Sequence, residues 1–141
     1  MSPRLTAASI EWSMSNTLTR SIRVVAQPRY VPDQSDPAAA RYFFAYHITI
    51  RNEGDTKVQL LSRHWVITNG EGKVEEVRGP GVVGHQPILA PGEAFEYTSA
   101  CPLGTPVGTM HGEFSMIQTE TREAFDARIA PFRLAVPNAL N

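Results

Sequence analysis

Apolar and polar positions alternate with a period of two along most of this chain. The clearest run is RYFFAYHITIRNEGD, where Tyr42, Phe44, Tyr46, Ile48 and Ile50 share one face and Phe43, Ala45, His47 and Thr49 the other. That is the signature of a strand with one buried face, and Asn52-Glu53-Gly54-Asp55 ends it with turn chemistry. Ile22, Val24 and Ala26 alternate with Arg23, Val25 and Gln27 before Pro28, which predicts a strand at a sheet edge, where proline is tolerated. KVQLLSRHWVIT predicts another strand, closed by the hairpin dipeptide Asn69-Gly70, and KVEEVRG a short one after it. Three further strands follow. EAFEYTSA has Phe95, Tyr97 and Ser99 on one face, TMHGEFSMIQ has Met110, Gly112, Phe114 and Met116, and REAFDARIAPFRLAV has Phe125, Ala127 and Ile129.

Eleven prolines and ten glycines are spread over the 141 residues, and no stretch carries helical periodicity. Seven or eight short strands with turn signals every 8–15 residues predict an all-β fold, an antiparallel β-sandwich of immunoglobulin or fibronectin type III kind. Residues 1–16 read as a weakly ordered N-terminal extension and 17–141 as a single domain. Trp65 is the expected core tryptophan. Tyr42, Phe44, Tyr46, Phe95, Tyr97 and Phe114 are expected to supply the rest of an apolar core, each burying on the order of 150–250 Å².

Composition narrows the function. The formal net charge is -1, so no broad positive field draws nucleic acid or an anionic membrane. No apolar run approaches the ~18 residues of a membrane span, and the first twenty residues lack the apolar segment of a secretory signal. The single cysteine, Cys101, allows no internal disulfide and fits a reducing, cytoplasmic setting. It reads as a packed, inert thiol. No cofactor, nucleic acid or membrane insertion is expected.

One motif raises a sharper question. Gly79-Pro-Gly-Val-Val-Gly84 spells G-x-G-x-x-G, the spacing that holds the pyrophosphate of dinucleotides between a strand and a helix. Pro87, Pro91 and Gly92 follow too soon for that helix, and His85-Gln86 stands where a P-loop requires G-K-[ST]. Two readings remain. In one, the glycines permit a tight connection between sheets, with Val82 and Val83 inserted in the core. In the other, the N–H groups around Gly79, Gly81 and Gly84 form a concave nest for an anion, helped by His85 or Arg78.

Other chemistry is sparse. His111 and Glu113 share the outward face of one strand and would supply two ligands of a metal site if a neighbouring strand gave a third. His64 reads as a satisfied sheet histidine. No carboxylate pair is placed for acid–base work, and Ser62, Ser99 and Ser115 lack a G-x-S-x-G setting. These residues do not predict an enzyme.

The segments YFFAYHITIRNEG, VQLLSRHWVIT and GPGVVGHQPILAPGEAFEYTSACPLGTPVGTMHGEFSM together resemble the ApaG family, from about Thr19 to Val136. Ala100, Gly104 and Phe114 are small departures from its pattern. The resemblance implies a fibronectin type III-like sandwich without established catalytic residues. Similar domains occur alone in bacteria and joined to F-box substrate receptors and a polymerase-delta-interacting protein in eukaryotes, which implies a protein-binding role with an unidentified protein partner. It also implies a loose link to cobalt resistance and magnesium efflux. The alternative is a small-ligand protein taking a nucleotide polyphosphate or pyrophosphate at residues 79–84.

Overall fold

The structure, a computed structural model, describes residues 13–138. Among these residues nine strands form two antiparallel sheets. The first contains β1 (Ser15–Thr19), β2 (Ile22–Tyr30), β3 (Tyr42–Asn52) and β7 (Ala94–Leu103), in the order β1-β2-β3-β7. The second contains β5 (Val74–Pro80), β4 (Val58–Asn69), β8 (Val107–Gln118) and β9 (Ala124–Ala135), in the order β5-β4-β8-β9, with the short β6 (Ile88–Leu89) also paired to β4. The two strands that the alternation does not mark are β1 and β6. The first is a polar five-residue segment and the second is two residues long between prolines; neither carries a readable alternation.

Burial follows the period of two. Along β8 half-buried and buried positions alternate from Val107 to Met116, because successive side chains leave opposite faces of a pleated strand. The inward faces meet in one core. Trp65, 3% exposed, lies at its centre, with ring centroids 5.3 Å from Tyr46, 6.2 Å from Phe114 and 5.9 Å from Phe132. Of the expected core aromatics, Tyr42 and Phe95 only flank the core, while Phe132 is buried in it.

Three expectations about placement change. Pro28 does not make β2 an edge strand over its whole length, since β1 pairs with Ile22–Ala26. Pro28 lies past the end of β1, where that side of β2 is open, so its missing N–H costs no ladder bond. Asn69-Gly70 is not a two-residue hairpin. The turn runs through Gly72 in the left-handed region (φ 82°), and the Asn69 side chain accepts from the N–H groups of Glu71 and Lys73 at 2.9 and 3.0 Å. The expected extension at 1–16 lies mostly outside the described residues, and Ser15 and Asn16 already belong to β1.

The two flanks of the sandwich differ. On one, β1 approaches β9, and the hydroxyls of Thr19 and Thr17 accept from the N–H groups of Arg128 and Ala130, both at 3.2 Å. Side-chain oxygens thus satisfy a free sheet edge. On the other flank stand β7 and β5. Among the described residues β5 pairs with β4 alone, and most of its positions are exposed. Among the described residues no helix is long and apolar enough to cross a membrane.

Candidate functional site

The glycine segment follows β5 and stays on the edge of β4. Both β5 and β6 pair antiparallel with β4, so residues 81–87 form an excursion between two pieces of the same edge. The chain crosses to the other sheet later, at the Pro91-Gly92 turn between β6 and β7. The expected crossover at 79–84 is therefore corrected. Within the excursion, Val82 and His85 exchange backbone hydrogen bonds at 2.8 Å each way. Val83 and Gly84 between them have φ of 42° and 83°, the two positive values of a type I′ turn. Val82 is fully buried, but Val83 is 52% exposed. Only one of the two valines expected in the core enters it, because a four-residue turn with a bonded first and last residue turns its tip outward.

A β-branched residue at positive φ is a genuine outlier, costing about 1–2 kcal/mol. Val83 tolerates it because its neighbours are over-determined. Gly81 has φ 61°, and a Cβ there would lie 2.3 Å from the carbonyl oxygen of His85. Its N–H donates to the Leu61 carbonyl at 2.8 Å. The Gln86 side chain donates to the same carbonyl at 2.8 Å, and Gln59 donates to the Gln86 carbonyl at 3.1 Å. The N–H groups of Gly81, Val82 and His85 are thus committed internally. Those of Val83 and Gly84 make no hydrogen bond among the described residues. The His85 ring lies 5.7 Å from that of Phe95 on β7.

Arg63 holds this excursion and was not singled out by its motif. Its guanidinium donates to the carbonyls of Pro80 and Gly81, each at 2.9 Å. It lies against Gly79, where a Cβ would sit 2.8 Å from Nη2. The readable signal is parity: Arg63 shares the face of buried Trp65, two residues on, so a charged side chain points inward and needs polar partners there. The loop's carbonyls provide them.

The outward face of the same sheet carries a second cluster. His64 on β4 lies between Glu113 of β8, 2.6 Å from Nδ1, and Glu76 of β5, 2.8 Å from Nε2. Carboxylate oxygens only accept, so the doubly protonated ring satisfies both contacts. The Glu113 contact and then the Glu76 contact raise the His64 pKa above its ordinary 6.5. The imidazolium ties β5 to the sheet from outside, as Arg63 ties its end from inside. Because the folded-state pKa is raised, this stabilisation is complete below about pH 6 and fades as pH rises through the folded value. The stability gap between wild type and His64→Gln is expected to be smaller at about pH 9 than at about pH 5.5. At about pH 5.5 the gap should be on the order of 1 kcal/mol or less, since both carboxylates meet solvent. Urea denaturation at the two pH values checks this; a gap that widens with pH contradicts it.

His111 and Glu113 do share that outward face, as their spacing requires. The Glu113 carboxylate is engaged by His64, and among the described residues no group of three or more His, Cys, Asp or Glu is arranged to hold a metal ion. Cys101 is buried, and burial first, then the nearby Glu75 carboxylate, pushes its thiol up to about 11. It stays protonated and unreactive at neutral pH.

The backbone of β5 is the remaining polar feature. Gly81 N–H bonds to Leu61 and Asn69 N–H to Lys73, and both pairs continue the β4–β5 register. Hydrogen-bonded pairs alternate in an antiparallel ladder, so Glu75, Val77 and Gly79 face β4. Val74, Glu76 and Arg78 therefore turn their N–H and C=O groups outward. Pro80 is also on that outward parity, where its missing N–H costs nothing.

Two packed antiparallel sheets, a glycine excursion clamped by an inward arginine and an exposed edge at β5 define a β-sandwich domain. The model of the ApaG domain matches residues 32–118, and the chain belongs to that family. Protein ApaG of Azotobacter vinelandii is 57% identical over 120 residues, covering 85% of this chain and 94% of that one. The Rhodospirillum centenum protein ApaG is 54% identical over 125 residues, 89% and 95% of the two chains. A crystal structure from Bordetella pertussis, described as ApaA, superposes with a TM-score of 0.81 at 54% identity, covering 84% of this chain and 95% of that one.

Proposed function

We propose that this chain is a non-enzymatic protein-interaction module that takes an extended partner strand along the free edge of β5. The observation that carries this reading is the exposed β5, with three residues presenting backbone donors and acceptors outward in register. Unsatisfied strand edges are templates for a further strand, and main-chain hydrogen bonds supply the affinity. The chemistry of the remaining residues agrees: the one thiol is buried and protonated, and the paired histidine faces two carboxylates and no nucleophile. The resemblance to proteins linked with cobalt and magnesium is read as the consequence of such a contact, not of metal held by His111 and Glu113.

Arg78→Pro tests the edge. The Arg78 N–H points away from β4, so proline there breaks no ladder bond within the domain but blocks an added strand. Specific protein partners captured by wild type are expected to be lost with Arg78→Pro and kept with Arg133→Ala on a distant strand. Amide protection gained at Val74, Glu76 and Arg78 on partner binding is the direct readout. Equal capture by Arg78→Pro and wild type overturns the reading.

A further inference from the structure

Resting on β5 as the interaction edge, the order of side chains along it names an occupant. Val74, Glu76, Arg78 and Pro80 share the outward parity of the strand. We propose that the edge pairs with a second copy of this chain, β5 against β5, antiparallel about a two-fold axis at Val77. A two-fold contact between identical edges places the same patch on both sides. In this register Glu76 of each copy lies opposite Arg78 of the other, and Val74, 59% exposed, lies opposite Pro80. On this face each pair is complementary: apolar, charged, charged, apolar.

The backbone agrees with that register. Outward N–H and C=O groups occur at every second residue, so they meet only when the paired residue numbers share that parity. The neighbouring registers of correct parity are centred on Glu76 or on Arg78, and they oppose two glutamates or two arginines, which is destabilising. Centring on Val77 lets Glu76 and Arg78 exchange two bonds in each of two symmetric pairs. The ladder then stops, because Pro80 has no N–H and its carbonyl is held by Arg63. A short ladder that ends on both sides closes as a dimer and does not extend into a fibre. Its small area places it among weak, concentration-dependent contacts. His64, which holds Glu76 from behind, presents one member of each charged pair.

Two sets of variants of the full chain test this. In a Cys101→Ala background, Val77→Cys places two thiols directly opposite, about 4.5 Å apart between Cα atoms in a non-hydrogen-bonded pair, within disulfide reach. Air oxidation is expected to give about tenfold more cross-linked dimer with Val77→Cys than with Glu75→Cys, whose opposite residue is Gly79. Independently, Glu76→Arg and Arg78→Glu should each weaken self-association in sedimentation velocity by about tenfold or more, since each opposes like charges twice. Mixing the two variants should restore a dimer. A wild type that stays monomeric at millimolar concentration, equal cross-linking at 75 and 77, or a mixture that fails to pair overturns the homodimer. If Arg78→Pro still abolishes partner capture after such a result, the edge reading stands and only its occupant is wrong.

Discussion

Replacing Trp65 by alanine is expected to lower unfolding free energy by about 3–5 kcal/mol, the range for removing a buried large aromatic. The side chain is 3% exposed. It stands edge-on to Phe114 and Phe132, with interplanar angles of 84° for both, and packs on Tyr46 across the sheet gap. No single neighbour can swing in to fill its place, because each is anchored in a different strand. Against a typical total stability of 5–15 kcal/mol, the loss would lower Tm by roughly 6–20 °C. Calorimetry of the purified variant measures it. A fall of under about 3 °C would show that the sheets are held elsewhere.

Gly81→Ala is expected to cost about 2–4 kcal/mol. Positive φ accounts for part of it, but the larger cause is the backbone carbonyl of His85, 2.3 Å from the new Cβ. Relief requires opening the Val82–His85 turn, which would withdraw buried Val82 from the core. Gly84→Ala is the control. Its φ is also positive, at 83°, yet nothing lies within 4 Å of the added carbon, so only the conformational cost of about 1–2 kcal/mol applies. Urea midpoints of the two variants separate steric contact from backbone preference. Equal losses would refute the close approach.

These two positions show what a single chain reveals. Trp65 is legible as a large aromatic within a predicted strand; alternation alone does not place it, since Gln59, Arg63 and Asn69 share its parity. The glycine motif is half legible. The prolines after Gly84 exclude a phosphate-binding helix. They do not reveal that the excursion remains on one edge of β4, since that depends on Ile88 and Leu89 of β6 pairing with Gln59 and Val58, far back in the chain. Val83 was expected inward for the same reason: its apolar character predicts burial, while the bonded Val82–His85 turn decides its direction. Arg63 could have been found from parity alone, yet its carbonyl partners could not.

Phe132 illustrates the remaining gap. It follows Pro131, which interrupts the apparent alternation, and a register shift between β8 and β9 near Met110 and Gly112 returns it to the core. Bulges move a side chain from one face to the other with no local warning.

Alternation and the scatter of proline and glycine thus suffice for an all-β sandwich, for most of its inward residues and for the exclusion of a dinucleotide loop. Local chemistry acts over two to four residues, and those conclusions need no longer range. Which strands are neighbours, how Thr17 and Thr19 close one flank, and why β5 is left open on the other are decided by tertiary structure. Strand pairing joins residues far apart in the chain, and its free energy lies in contacts that no single segment contains. Among the described residues no other strand arrives beside β5, and that leaves its edge free.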